Sequence, residues 1–217
     1  MMIKKQTNYK TGVDQKDKKT YAFVDGANLH KGVDDQGWAV NYRRFRTWLF
    51  EKLKVQKAFL FIGLVPGNSR LYTSLQEAGF ILIFKPTITN VDGKVKGNCD
   101  ADMVLTIVSG AYEKKFDKAV LVTSDGDFYS TVEFLQKRKM LTRIVSPSLK
   151  CSILLKRTNA SITYIGEIKN LVEYKQSFST NKKKKPPMKT KHHKGLFRND
   201  SRLDNSKKRV KKSTRRL

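Results

Sequence analysis

Aspartates follow short apolar segments in this chain, and there the residue types and spacing could support chemistry. Asp25 ends the segment Tyr-Ala-Phe-Val-Asp, whereas Asp125 and Asp127 follow Val-Leu-Val-Thr-Ser. Asp100 and Asp102 open a stretch with helical spacing of apolar residues. Clustered carboxylates repel one another unless a cation neutralises them. Oxygen ligands without Cys or His indicate a hard ion, so we expect Mg²⁺ or Mn²⁺, which could polarise a phosphoryl oxygen and lower the pKa of a bound water.

Each acid also has an ordinary structural interpretation. The segment from Asp25 to Asn28 could be a turn in which Asn28 caps a helix. Asp127 could be a helix N-cap or a first-turn acid favoured by the helix dipole. Asp100 and Asp102 are two residues apart, so on a regular helix they cannot point the same way. One of them could be only a helix-start acid, and we expect Asp100 to be the inner one.

Short apolar runs alternate with stretches of helical periodicity along the chain. The runs predict buried strands at 21–24, 58–64, 80–84, 119–123, 142–145 and 162–165. The stretches between them predict helices at 42–53, 69–78, 100–112, 128–137, 149–156 and 167–174. This alternation is typical of an α/β fold with a mainly parallel sheet and helices on both sides. Ligands bind such sheets beyond the carboxyl ends of the strands, where the acidic segments could converge.

The charge of the chain points to a polyanionic partner. The 217 residues include 45 Lys/Arg and 19 Asp/Glu, a formal net charge of +26 with a pI of about 10.1. Such an excess suits a nucleic acid or an acidic membrane surface, although generic solubility charge is the alternative. Residues 181–217 hold 16 Lys/Arg and 2 Asp, so a charge of +12 remains on residues 1–180. The folded part should therefore carry a positive face of its own.

Composition divides the chain into three parts. We expect a flexible polar segment at 1–19, one folded domain at 20–176 and a disordered Lys/Arg-rich tail at 177–217, where apolar residues almost vanish. The tail should bind a nucleic acid through cations that include Lys182, Lys183, Lys184 and Lys185.

The cysteines and the apolar runs indicate the cellular compartment of the protein. Cys99 and Cys151 have no metal-finger spacing and favour a reducing compartment. No signal peptide is visible, and the longest apolar run is too short to span a bilayer. We therefore expect a cytoplasmic protein with no membrane partner.

Three further basic residues are candidate contacts to the phosphates of a nucleic acid. Arg43 and Arg44 lie beside Tyr42 on a predicted helix and could grip a phosphate backbone, although a solvated helix face would have the same composition. Lys96 lies just before the acidic helix and could contact the scissile or an adjacent phosphate, or could be a solvent-facing loop lysine.

Several ordered motifs carry a resemblance that covers roughly residues 20–175. They are Phe-Val-Asp-Gly-Ala-Asn-Leu-His (23–30), Phe-Ile-Gly-Leu-Val-Pro-Gly-Asn (61–68), Gln-Glu-Ala-Gly-Phe-Ile-Leu-Ile-Phe-Lys-Pro (76–86), Lys-Val-Lys-Gly-Asn-Cys-Asp-Ala-Asp (94–102) and Val-Leu-Val-Thr-Ser-Asp-Gly-Asp-Phe (120–128). In these motifs the sequence resembles the NYN domain family, a branch of the PIN-like nuclease superfamily, and its bacterial members in particular.

The resemblance implies a three-layer α/β/α sandwich, PIN-like and Rossmann-like, and a metal-dependent ribonuclease that binds Mg²⁺ or Mn²⁺. It assigns catalysis and metal binding to four aspartates and supporting roles to three further polar residues. The catalytic and metal-binding residues are Asp25, Asp100, Asp125 and Asp127, and the supporting residues are Asn28, Ser124 and Asp102.

One position departs from the pattern of the family. Some branches have a further Asp at the position of Thr106, which leaves an alternative open: a non-catalytic RNA-binding module with a vestigial metal site. We expect RNA as the partner, and a homo-oligomer is possible.

Overall fold

A six-stranded parallel sheet forms the centre of the computed structural model, which describes residues 18–86, 88–89, 95–96 and 99–175. Its strands are β1 (Thr20–Asp25), β2 (Val55–Leu64), β3 (Phe80–Pro86), β6 (Lys118–Val122), β7 (Leu141–Ser146) and β8 (Ile162–Tyr164). A separate antiparallel pair, β4 (Ile88–Thr89) and β5 (Val95–Lys96), follows β3. The order across the sheet is β3-β2-β1-β6-β7-β8, and all neighbours are parallel.

Helices connect these strands. They are α1 (Gly26–Asp34), α2 (Tyr42–Leu53), α3 (Ser69–Glu77), α4 (Asp100–Tyr112), α5 (Tyr129–Lys137), α6 (Ile153–Arg157) and α7 (Lys169–Val172), with 3₁₀ turns at Gly126–Phe128 and Ile165–Ile168. The helices α2 and α4 have the bounds that their apolar periodicity predicts.

Two hydrophobic clusters cover the two faces of the sheet. In β1, Ala22 and Val24 belong to one cluster, whereas Phe23 belongs to the other, because successive strand residues point to opposite faces. The first cluster includes residues of α1, α2, α3 and α7, and the second includes residues of α4, α5 and α6. This arrangement confirms the predicted three-layer α/β/α fold.

Some elements differ from the sequence prediction. No helix is predicted at 26–34, where α1 lies, because a Gly-Ala-Asn segment is also typical of a turn. The helix predicted at 149–156 begins only at Ile153, because Ser152 caps it by accepting from Leu154 N–H. The helix predicted at 167–174 ends at Val172, because Glu173 is extended and bridges to Val40.

The N-terminal and C-terminal predictions concern residues outside the described ranges. Residues 1–17 and 176–217 are not described, so the flexible segment and the disordered tail stay predictions. Among the described residues, no helix is both long and apolar enough to cross a membrane.

Candidate metal centre

The aspartates lie where the winding of the sheet reverses. From β1 the chain continues to β2 and β3 on one side, whereas β6, β7 and β8 lie on the other side of β1. Loops leaving β1 and β6 therefore diverge, and such a switch point opens a crevice at the carboxyl ends of the strands. Asp25 is the last residue of β1, and Asp125 lies three residues after the end of β6.

Asp25 is a buried carboxylate that begins α1. Its Oδ1 accepts a hydrogen bond of 3.0 Å from Asn28 N–H, so the helix cap is Asp25 and not Asn28. The side chain is only 8% exposed. Burial, followed by the nearby charges of Asp100 and Asp125, raises the pKa of Asp25 to about 7, although hydrogen bonds from the backbone of Asn28 and Ala27 act in the opposite direction.

Asp125 begins the 3₁₀ turn after β6 in the same way. Its Oδ1 accepts from Asp127 N–H at 3.0 Å, and its own N–H donates to Thr123 Oγ1 at 3.1 Å. Phe128, fully buried in the core, anchors the end of this turn. The turn therefore places Asp125 and Asp127 side by side at the crevice.

Asn28 joins the two loops across the switch point. Its Oδ1 accepts from Ser124 N–H at 2.9 Å and from Ser124 Oγ at 2.8 Å. The two polar residues that the resemblance marks as supporting thus hold the start of α1 against the loop after β6. This contact joins the segments that carry Asp25 and Asp125.

Gly126 allows the loop after β6 to approach α6 closely. A Cβ at this position would lie 2.5 Å from Ser152 Oγ and 3.3 Å from Leu154 Cδ1. Ser152 N–H also donates to Ser124 O at 3.0 Å. A side chain at this position would therefore require Ser152 to shift.

Three carboxylates meet at the crevice. Asp100, at the start of α4, has a carboxylate oxygen that lies with oxygens of Asp125 and Asp127 in a group within 4.8 Å of one another. Asp100 and Asp125 are half-buried, and Asp127 is exposed. Asp25 is outside this group, although the charges of Asp100 and Asp125 help to raise the pKa of Asp25. We call Asp100, Asp125 and Asp127 the aspartate trio.

Asp102 faces away from the trio and pairs with a lysine. Its Oδ2 lies 3.3 Å from Lys85 Nζ, at the end of β3. Thr106 Oγ1 donates to the backbone oxygen of Asp102 at 2.7 Å. Two residues on a helix differ by about 200° in direction, so Asp100 points inward and Asp102 does not.

Lys85 and Cys99 are neighbours of the site that sequence reasoning missed. Burial, followed by the negative charge of Asp25, raises the pKa of the Cys99 thiol to about 11, whereas Lys85 acts in the opposite direction. The position of Lys85 near the carboxyl end of a strand was the signal that could have revealed it.

The trio suits a hard divalent cation. Its donors are carboxylate oxygens that come from two elements, and their mutual distances are short enough for a shared ion. Like charges so close together repel, and a cation would relieve this repulsion. The residues present therefore fit a metal of the Mg²⁺ or Mn²⁺ type better than one that prefers sulphur or nitrogen ligands.

The NYN domain model matches residues 19–165, which include all strands of the central sheet and the whole aspartate cluster. The chain belongs to the NYN domain family. An NYN domain has the PIN-like nuclease fold, and in this one the carboxyl edge of the sheet carries the acidic cluster expected of that fold.

A solved structure has the same fold as this NYN domain. A protein of unknown function from Vibrio parahaemolyticus is similar with a TM-score of 0.58 at 22% sequence identity, over 70% of this chain and 96% of that chain. No curated protein matches the chain.

The remaining candidate residues are not brought to the trio. Arg43 and Arg44 are exposed on α2, whose Arg46 donates to the backbone oxygens of Val55, Gln56 and Gly79. These oxygens mark the amino ends of β2 and β3, at the opposite edge of the NYN domain from the aspartates. Arg46 thus has a structural role that its sequence context did not indicate.

Two predictions of RNA contacts fall on residues whose side chains are not described. Lys96 is in β5, but its side chain is outside the described part of the NYN domain. Lys182, Lys183, Lys184 and Lys185 lie beyond the described residues altogether.

Proposed function

We propose that this NYN domain protein is a metal-dependent ribonuclease that hydrolyses RNA phosphodiester bonds at the aspartate trio. The observation that carries the proposal is the convergence of Asp100, Asp125 and Asp127 within 4.8 Å at the switch point of the sheet. Asp100 is far from Asp125 and Asp127 in sequence, and the fold gathers their charges in a protein with few acids. Such a cluster stabilises nothing by itself, because its members repel.

RNA is the proposed substrate because of the charge on the chain. A net charge of +26 attracts a polyanion, and the small acidic cluster would repel one unless a cation were present. A basic protein with one acidic crevice is suited to phosphodiester chemistry at that crevice.

The trio would hold Mg²⁺ or Mn²⁺, with Asp25 beside it. When bound, such an ion supplies charge for the phosphoryl oxygens and lowers the pKa of water. Asp100 and Asp125 are half-buried and would fix the position of the ion, whereas the exposed Asp127 faces solvent, where substrate enters.

Asp25 controls the charge of the site from a buried position. The hydrogen bond from Asn28 N–H to Oδ1 orients its carboxyl, and the raised pKa means that this group binds a proton near neutral pH when only its carboxylate neighbours surround it. A cation on the trio would favour the ionised form of Asp25, because it would oppose the Coulomb repulsion from Asp100 and Asp125, whereas burial would still act to raise the pKa.

Cleavage of labelled RNA tests the proposal. Purified protein is incubated with single-stranded RNA or DNA in Mn²⁺, Mg²⁺ or EDTA, and we expect cleavage of RNA that requires the metal. The variant Asp125→Asn should lose at least about a hundredfold in rate, because a neutral amide is a much poorer ligand for a hard ion. Asp35→Asn is the matched control, since Asp35 is exposed at the far end of α1. Metal-independent cleavage, or equal rates for both variants, would refute the assignment.

A non-catalytic RNA-binding module is the second candidate, and one observation favours it. Thr106 lies at the position where some branches of the family have a further Asp. Its hydroxyl donates a hydrogen bond to the backbone oxygen of Asp102. Under this alternative the wild-type protein binds RNA with no metal-dependent turnover. The same incubation therefore separates the two candidates.

A further inference from the structure

Five helix-to-strand connections of the central sheet contain a residue with positive φ. Before the edge strands β3 and β8 these residues are Gly79, with φ of 92°, and Asn159, with φ of 55°. Before the inner strands β2, β6 and β7 they are Lys54, Lys114 and Lys139, with φ of 56°, 53° and 56°. Glycine and asparagine are the residues usually found in left-handed backbone, whereas lysine is disfavoured there. The fold alone does not explain lysine at all three inner turns.

Interaction with the helix dipole explains only part of this choice. A cation near a helix C-terminus is favourable, but the last turns of α2 and α5 already contain Lys52 and Lys137. A lysine elsewhere in those turns would give the same benefit without the left-handed backbone. The shared feature of Lys54, Lys114 and Lys139 is instead their position at one edge of the sheet.

The three turns are neighbours in space. In sheet order the inner strands are β2, β1, β6 and β7, and β1 is itself preceded by Lys19. The backbone N–H of Lys118, the first residue of β6, donates to Lys19 O at 3.1 Å, and its Nζ donates to Lys139 O at 2.6 Å. Strands lie about 4.8 Å apart, so four neighbouring strands give a row about 15 Å long. We call Lys19, Lys54, Lys114 and Lys139, all of them exposed, the amino-edge lysines.

Aromatic rings lie among the cations of this edge. Arg138, beside Lys139, stacks with its guanidinium carbon 4.3 Å from the ring centre of Tyr112 and 4.7 Å from that of Phe134. Tyr112 is 63% exposed. Lys57 Nζ lies 5.5 Å from the centre of the Tyr21 ring. The exposed Tyr112 thus offers aromatic surface beside a cation, on which a base can stack.

The acids near the edge do not cancel its charge. Glu113 forms an ion pair with Lys115, and the carboxylate of Asp117 accepts from the backbone N–H of Lys19. Glu51 lies one turn before Lys54 and is exposed. These three acids lie near six cations, the four amino-edge lysines together with Lys115 and Arg138, so the surface as a whole remains positive.

We propose that the amino-edge lysines form a second contact surface for the phosphate backbone of RNA, at the opposite end of the strands from the aspartate trio. The proposal rests on the proposed function in that RNA is the partner, but it does not require cleavage. Contacts between lysines and phosphates read no sequence, so the surface adds affinity for RNA in general. The six residues of β1 span about 20 Å, which is the length of about six stacked nucleotides. An RNA well beyond this length can reach both surfaces at once.

The test removes three charges without disturbing the left-handed turns. In the full chain, Lys54, Lys114 and Lys139 are each replaced by asparagine, which adopts this backbone readily, as Asn159 does. Binding of an RNA of about 30 nucleotides, well beyond the six that match the length of β1, is followed by fluorescence anisotropy in EDTA at several salt concentrations. We expect a salt slope shallower by about 2, since each phosphate contact to a single strand contributes about 0.7, and affinity lower by about tenfold or more. The Tm should be unchanged or higher.

A triple variant with the same charge change is the control. Lys31→Gln, Lys169→Gln and Lys175→Gln remove cations from α1, from α7 and from the segment after α7. This variant should keep a slope within about 0.5 of the wild type. If the asparagine triple does not fold, the corresponding glycine triple replaces it, because glycine is the residue that left-handed turns favour most.

Equal slopes and affinities for the asparagine triple and the control would overturn the proposal. Sedimentation with phosphatidylserine vesicles is a second arm: loss of vesicle binding with unchanged RNA binding would identify a membrane surface and would also overturn it. Binding is measured in EDTA, so a failure of the ribonuclease proposal leaves this result readable. Conversely, the asparagine triple could cleave an RNA of about five nucleotides at the wild-type rate and bind the long RNA as tightly as the wild type does. That result would refute only the second surface.

Discussion

At the scale of single residues, the buried Asp25 is the most sensitive part of the site. Its carboxyl is held by Asn28, lies beside two other acids and has a pKa raised to about 7. The environment of Asp25 therefore makes both stability and activity depend on its charge.

The first prediction concerns the pH dependence of stability without metal. The pKa of Asp25 is about 7 in the folded protein, above the ordinary value of 3.8, so the folded state favours the protonated carboxyl. The contribution of this preference to the free energy of unfolding is fully present below about pH 4 and is lost as the pH rises through 7. In EDTA, Asp25→Asn should become progressively more stable than the wild type over this range, by up to about 4 kcal/mol. Urea unfolding at several pH values, followed by tryptophan fluorescence, measures the difference. A difference that does not change with pH would contradict the prediction.

The second prediction concerns activity. Asp25→Asn should abolish RNA cleavage and spare the fold, because asparagine is nearly isosteric and its side-chain oxygen can still accept from Asn28 N–H. RNA binding should hold or tighten, since a negative charge near the backbone of the RNA is removed. Single-turnover cleavage and anisotropy on the same preparation separate the two effects. Cleavage at the wild-type rate would show that Asp25 has no part in catalysis.

At the scale of elements, the site depends on how closely the loop after β6 packs against the start of α6. Gly126 lies between two aspartates of the trio, and its neighbour across the contact is Ser152. The hydrogen bond from Ser152 N–H to Ser124 O joins the same two segments. A change in this packing should therefore alter the positions of Asp125 and Asp127.

The third prediction tests this packing with a double-mutant cycle. Gly126→Ala should destabilise the protein by about 1–3 kcal/mol, because the new Cβ would lie 2.5 Å from Ser152 Oγ. In a Ser152→Ala background the loss should be smaller by about 1 kcal/mol, since the nearest atom is gone. Urea unfolding of the four proteins in EDTA measures the coupling. Strictly additive losses would show that the two residues do not interact.

At the scale of the whole molecule, charge is distributed in opposite ways at the two edges of the sheet. The carboxyl edge gathers the aspartate trio, whereas lysines lie along the amino edge. Most of the remaining basic charge is in residues 181–217, which contribute +14. Metal and RNA should therefore influence stability and binding from separate places.

The fourth prediction is that divalent metal stabilises the folded protein. Mn²⁺ binding only the folded state should add about 2.7 kcal/mol at a hundredfold excess over its Kd. Asp125→Asn should be more stable than the wild type in EDTA, because repulsion in the trio falls, and should respond less to Mn²⁺. Calorimetry with and without the ion is the measurement. An equal response of wild type and variant would refute the assignment of the trio, whereas Asp35→Asn should behave as the wild type.

The fifth prediction concerns the basic tail. Deletion of 181–217 should weaken RNA binding and make its salt dependence shallower, because 16 cations that act on phosphates are removed. Cleavage of a short RNA at high protein concentration should persist, since the trio is retained. Replacement of Lys182, Lys183, Lys184 and Lys185 by serine should give an intermediate slope. A slope that deletion leaves unchanged would mean that the tail does not contact RNA.

Sequence patterns alone predict the α/β class, most strands and the positions of the acids relative to them. Apolar runs and helical periodicity are local patterns, and each strand-end aspartate is adjacent in sequence to its strand, as Asp25 is to β1. The α1 helix was missed because Gly-Ala-Asn is ambiguous between a turn and a helix start, and the onset of α6 was misplaced because Ser152 caps it.

Only the tertiary structure decided which acids share a site and which cations share an edge. Asp100 joins Asp125 and Asp127 while Asp25 stays outside their group, because the directions of these side chains depend on contacts between distant segments, such as that of Asn28 with Ser124. The lysines at the three inner turns are separated by many residues in the chain and become neighbours only through the order of the strands. Long-range pairing sets that order, and a single sequence contains no local pattern that reports it.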